Sequence, residues 1–219
     1  MAQFAEINGN RLNTASVVLP YHGIWHVDAQ LTDIVSLSGL VTVQIAGLVL
    51  KGSVYRIGSF IGSTTVRIIG GYAGWLKTIP GKEYRSSFGI NFSVVAGDAA
   101  RECGEQLSVS GDFGIGQFYE RKSGPAVRSL DIFAPVWWMR SDGVTVVGDR
   151  PSTTITSAFD VLDHNSTDLG AGRVHIATDK PEDWLPGSKF SSVTLSEQTA
   201  SAVIHKLDKD KLRTEVWVL

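Results

Sequence analysis

One cysteine, two methionines, seven prolines and a low charge content set the first limits on this 219-residue chain. A single thiol, Cys103, can build neither an intrachain disulfide framework nor a zinc ribbon, and it suits folding in a reducing compartment. Its expected role is that of a small apolar core residue. Charged residues make up 19% and the formal net charge is −2, so there is no basic field to hold a phosphate backbone, and nucleic acid is not expected as a tight ligand. The longest apolar run, "LSGLVTVQIAGLVL" at 37–50, is interrupted by Gln44 and closed by Lys51, short of the roughly 20 residues that span a bilayer. The opening "MAQFAEINGNRLNTASVVLPYHG" lacks a basic start and a continuous apolar core, so no signal peptide is expected. Catalytic signatures are missing too. "SGDFGIGQF" matches neither the G-x-S-x-G elbow nor G-x-G-x-x-G, no GK[ST] occurs, and its glycines are expected in turns.

What the chain has instead is glycine and β-formers. Glycine occurs 23 times, above the usual share of about 7%, and much of it punctuates β-branched segments. "FAEINGNRL" carries Asn8-Gly9 between apolar flanks, a strong hairpin signal. "ASVVLP", the stretch from Tyr21 to Leu31, "DIVSLSG", "VTVQIAG", "LVLKGSVYRIGSF" and "STTVRIIGG" follow; six or seven strands without a helical period predict a small sandwich or barrel. Gly47, Gly52, Gly58 and Gly62 are expected at its bends and bulges. In "NFSVVAGDAARECGEQL", Phe92, Val95, Ala96, Ala99 and Cys103 make one helical stripe with Gly104 at the C-terminal cap position. A second helix is expected in "PAVRSLDIF" with Pro125 in its first turn, then a hairpin turned at Asp142-Gly143. "GRVHIATD", "SSVTL", "TASAVIHKL" and "LRTEVWVL" return to β. The fold class expected is mainly β with an α+β insert: a first barrel over 1–88, a helix-helix-hairpin module over 89–150 and a second barrel over 151–219.

The stretch "YHGIWHVD" gathers His22, His26, Trp25 and Asp28. Its alternation is that of a half-buried strand, with Trp25 toward the core. On a strand His22 and His26 share a face but stand about 13 Å apart at roughly 3.3 Å per residue, too far to share one zinc ion. His26 and Asp28 are near neighbours there, and the polar face of His22, His26 and Asp28 is expected to meet solvent, a lumen or another subunit. No metal or cofactor is expected. Asp160, Asp163, His164, Asn165 and Asp168 cluster without the EF-hand spacing, and a solvated loop is the expected account. Trp137 and Trp138 are adjacent, so one is expected inward and the other outward. An exposed tryptophan suits a sugar platform or a protein interface, which keeps a glycan-binding protein open as an alternative. A hydrolase built on His26-Asp28 or on the 160–168 loop is a third reading.

The order of motifs resembles the baseplate hub proteins of contractile-tailed bacteriophages, related to the hubs of type VI secretion and other contractile injection machines. The resemblance rests on "VVLPYHGIWHVDAQL", "GLVLKGSVYRIGSFIGSTTVRIIGGYAGWLKTIPGKEYR", "FSVVAGDAARECGEQLS", "VWWMRSDGVTVVGDRP" and "LPGSKFSSVTLSEQTASAVIHKLDKDKLRTEVWVL". It implies a non-enzymatic homotrimer whose chains each supply two tail-tube-like β-barrels, adapting a sixfold tail tube to a threefold central spike. Implied partners are tail tube or tube-adaptor proteins, the spike and wedge proteins. Genomic DNA would pass without specific binding. The implied location is the virion tail baseplate, assembled in the host cytoplasm. Many members are longer, and this length leaves no room for a lysozyme or peptidase module.

Overall fold

A computed structural model describes residues 4–166, 172–193, 195–209 and 211–218. Six strands come first: β1 (Ala5–Ile7), β2 (Asn10–Pro20), β3 (His26–Leu31), β4 (Leu40–Ile45), β5 (Leu48–Phe60) and β6 (Ser63–Gly70). They pair antiparallel in the order β1–β4–β5–β6–β3–β2, and β2 returns to β1 through Glu6–Arg11 and Ile7–Asn10, closing a six-stranded barrel. Alternation specifies the closure. β3 buries Val27, Ala29 and Leu31 and turns His26, Asp28 and Gln30 outward, and β4 buries Val41, Val43 and Ile45. Each fully buried Val, Leu or Ile contributes about 1.5–3 kcal/mol over its exposed state. Asn8 (φ 48°) and Gly9 (φ 81°) both take the left-handed conformation of the hairpin turn. Trp25, 2% exposed, needs a floor without side chains: a Cβ on Gly52 would come within 2.7 Å of its ring and 2.4 Å of the Ile69 carbonyl oxygen.

Two expectations for this region are corrected. The strand foreseen from Tyr21 begins only at His26, because β2 ends at Pro20 and the chain bends through Gly23 (φ 107°). "DIVSLSG" is irregular rather than a strand; its Val35 N–H donates to Thr64 Oγ1 at 3.0 Å, a side-chain acceptor in place of a ladder.

The middle of the chain holds β7 (Thr78–Ile79), β8 (Lys82–Asn91), α1 (Phe92–Cys103), β9 (Leu107–Val109), β10 (Gly114–Arg121), β11 (Gly124–Pro125), α2 (Arg128–Asp131), β12 (Trp137–Met139) and β13 (Thr145–Val147). α1 buries the foreseen stripe and ends at Gly104 (φ 83°). β12 and β13 form the foreseen hairpin, and β9 joins β13 in parallel. α2 is only four residues, and Pro125 lies instead in the two-residue β11–β7 ladder, a tolerable place for a residue without an N–H. Gly114 and Gly116, expected in turns, sit at bulges of β10, which pairs with β8. The Trp25 indole N–H donates to the Arg140 carbonyl at 2.9 Å, tying this region to the barrel.

The last strands are β14 (Phe159–Ser166), β15 (Gly172–Thr178), β16 (Lys189–Ser192), β17 (Leu195–Asp208) and β18 (Lys211–Val218). Residues 160–165, foreseen as a loop, are strand, and of "SSVTL" the two serines end β16 while Leu195 opens β17. The order is β17–β18–β15–β14, with β16 on the first half of β17. Phe159, Trp184 and Phe190 pack edge-to-face beneath them, ring centroids 4.9–6.2 Å apart. The second half of β17 pairs with β2 from Ala202–Pro20 to Asp208–Thr14. Both ends of the chain therefore share one eleven-stranded sheet, and among the described residues no ladder closes the C-terminal strands into a ring of their own.

Candidate functional site

The run β5–β6–β3–β2–β17–β18–β15–β14 is uninterrupted, and every second residue of these half-buried strands points away from the core; that outward face carries His26, Asp28, Arg67, Lys206 and Glu215 beside an apolar row of Ile69, Val18 and Ile204. Arg67 on β6 forks onto Asp28 on β3, Nε to Oδ1 at 2.6 Å and Nη2 to Oδ2 at 2.7 Å. That bond is the main reason the Asp28 carboxyl lies below the usual carboxylate range. Partial burial pushes the neighbouring His26 imidazole below its ordinary value, with Asp28 pulling the other way. Further along the face, Glu215 on β18 meets Lys206 Nζ at 2.9 Å, His175 Nε2 at 3.5 Å and Arg173 Nη1 at 3.6 Å. Burial alone would raise the Glu215 carboxyl; the Lys206 hydrogen bond and the surrounding cations outweigh it and hold it low. The exposed Asp28–Arg67 pair contributes at most about 1 kcal/mol. Together these contacts pair opposite charges on the face.

Both lateral ends of the run are open. The ladder between β4 and β5 stops at Leu40–Ser53, so from Tyr55 to Phe60 the outer edge of β5 has no strand beside it among the described residues. The β5–β6 hairpin turns at Ile61 (φ 42°) and Gly62 (φ 77°), with Phe60 76% and Ile61 84% exposed and Tyr55 and Ile57 also exposed. At the other end β14 pairs only with β15 among the described residues, and Leu162 is exposed. A third projection lies on the β8–β10 ribbon. Between the pairs Arg85–Phe118 and Ile90–Gly116, four residues of β8 bulge out opposite Gln117, with Phe88 fully solvated at their tip.

Of the residues singled out in the sequence, His26 and Asp28 lie on this outward face. His22 does not continue it: exposed in the bend before β3, it accepts the Trp137 N–H on Nδ1 at 3.3 Å and packs edge-on to that ring. Among the described residues no three His, Cys, Asp or Glu side chains gather closely enough to hold a metal. Asp160, Asp163, His164 and Asn165 belong to β14, and Asp168 lies outside the described residues. Trp137 is buried, while Trp138 is half-buried under the Arg150 guanidinium, 4.5 Å from its ring. Trp217 is exposed beside Arg173. Among the described residues no helix is long and apolar enough to cross a membrane.

No protein-family model matches the chain, and no curated protein matches its sequence. Solved structures do match in shape. An Escherichia coli component of the type VI secretion system, itself described as structurally similar to the T4 bacteriophage tail proteins gp27 and gp5, aligns with a TM-score of 0.75 at 10% identity, over 98% of this chain and 76% of that one. The 43 kDa tail protein of prophage MuSo2 from Shewanella oneidensis aligns at 0.72 and 10% identity, over 98% and 96%. A tail protein from Neisseria meningitidis MC58 aligns at 0.67 and 14% identity, over 98% and 94%. The chain has the fold of phage-tail and type VI secretion tail proteins, as the resemblance in its sequence implied.

Proposed function

We propose that this chain is a structural protein of a contractile, phage-type tail and serves as its baseplate hub. The observation that carries the reading is the fold shared across 98% of the chain with a type VI secretion component and two tail proteins. In this role residues 1–88 and 151–219 act as two tube-like barrel units and 89–150 as the module that braces them. Three chains make a ring presenting six such units, which adapts a sixfold tail tube to a threefold spike. Tail tube or tube-adaptor proteins, the spike and wedge proteins are its partners, in the virion baseplate, after assembly in the host cytoplasm. The work is geometric rather than catalytic.

Two features of the molecule support this reading. It has two open sheet edges, and that of β5 is apolar, with Tyr55, Ile57 and Phe60 exposed; monomeric proteins blunt or cover such an edge, and an assembly covers it. On its sheet face Arg67 is paired with Asp28 and Lys206 with Glu215, Arg56 being the exception; a channel wall whose cations are largely paired offers a passing phosphate backbone few contacts. Native mass spectrometry of the full chain tests the proposal. Trimers are the expected species. A monomer whose tryptophan fluorescence is quenched by sugars would favour the glycan-binding alternative through Trp217.

A further inference from the structure

We propose that the ring, on the reading above, is joined edge to edge: the open edge of β5 from Tyr55 to Phe60 pairs with the open edge of β14 in the next copy, and Arg56 faces Asp160 and Asp163 across the junction. The first observation is topological. β5 and β14 are the two lateral ends of the same eight-strand run, so each copy has one edge to give and one to receive. Such a contact is head-to-tail, and it closes when the rotation per copy closes.

The second observation is chemical. The β5 edge exposes Tyr55, Ile57 and Phe60, and β14 exposes Leu162, so pairing covers apolar area on both sides along with the backbone donors and acceptors. The third is charge. The Arg56 guanidinium has the Tyr55 ring 5.5 Å away and no carboxylate among the described residues. On β14, Asp160 and Asp163 are exposed and likewise without an ion pair among the described residues. Like charges opposite one another oppose pairing, so two β14 edges would set aspartates together and two β5 edges would set arginines together. Only the unlike pairing relieves both. These three charged side chains thus specify which edge meets which, and with it the sense in which copies follow one another.

The test uses the full chain in sedimentation equilibrium across a wide concentration range. Arg56→Glu should raise the concentration at which the ring dissociates by roughly 100-fold or more, since like charges across an interface are strongly unfavourable. Asp160→Lys with Asp163→Lys should do the same. All three substitutions together should restore assembly to within about tenfold of the unaltered chain, as expected for a reversed but complementary pair. Hydrogen exchange should be slowed along Tyr55–Phe60 and along β14 only where the ring forms, and circular dichroism verifies that each variant is folded. A ring that survives Arg56→Glu, a triple variant that stays dissociated, or edges that exchange fast within the ring would overturn the edge pairing while leaving the hub reading intact. An unaltered chain that is monomeric at every concentration overturns both.

Discussion

Lowering the pH from 7 to 4 should weaken this fold through one buried imidazole. His205 lies at the seam where β17 runs between β18 and β2, paired with Val17 on one side and Thr214 on the other, and it is 0% exposed. Its Nδ1 sits 2.9 Å from Thr214 Oγ1, and Nε2 is buried. Burial disfavours the cation and lowers the pKa from 6.5 to about 4. The unfolded chain binds a proton at pH 6.5 and the folded chain does not, so folding is favoured fully above 6.5, and that advantage is lost as pH falls toward 4. A gap of about 2.5 in pKa corresponds to about 3 kcal/mol. Urea unfolding at fixed protein concentration, followed at several pH values from 7.5 to 4, measures it. His205→Phe should lower stability at pH 7 by about 1–3 kcal/mol, because the Thr214 hydroxyl loses its partner, yet over the same range it should lose less stability than the unaltered chain, by the His205 contribution. Half-buried His26 acts in the same direction to a smaller extent, and the carboxylates held low, such as Asp28 and Asp98, titrate below this window. Parallel pH curves for the two proteins would refute the assignment.

Three further outcomes follow from buried contacts. Glu105, 8% exposed, accepts the N–H groups of Tyr72 at 3.1 Å and Gly74 at 2.5 Å; Glu105→Ala orphans both donors and should cost about 2–3 kcal/mol, read as a lower urea midpoint with an unchanged slope. Gly52→Ala drives a methyl into the Ile69 carbonyl and the Trp25 ring, so a loss of about 2–3 kcal/mol is expected; a neutral effect in thermal unfolding would show that the Trp25 floor is looser than described. Burial pushes the Cys103 thiol up to about 11, so at pH 7.5 a thiol reagent should label the folded chain roughly a hundredfold more slowly than the chain in urea.

Legibility in the sequence followed the range of the interaction involved. The barrel strands and α1 were readable because each carries its own period: alternate Val, Ala and Leu in β3, and the Phe92–Cys103 stripe closed by Gly104. The β1–β2 turn was readable from Asn8-Gly9 because only a few residue types take φ > 0 easily. β10 and β14 were hidden, because glycines at bulges and a run of Asp, His and Asn look like loop until a partner strand is known. Nothing local announces that β17 crosses to β2, nearly 190 residues earlier in the chain. The charged face was half legible. Asp28 and His26 were foreseen on it, whereas Arg67 and the Glu215 cluster reach it only through strand register. His22 was misplaced because a strand was extended through a bend that Pro20 and Gly23 impose.

The claim that this chain builds the hub of a tail is tested most directly by electron microscopy of the purified full chain. Threefold particles with a central hole and a near-sixfold outline, each of three 23.6 kDa chains, are expected. A field of compact single-chain particles at every concentration would contradict it.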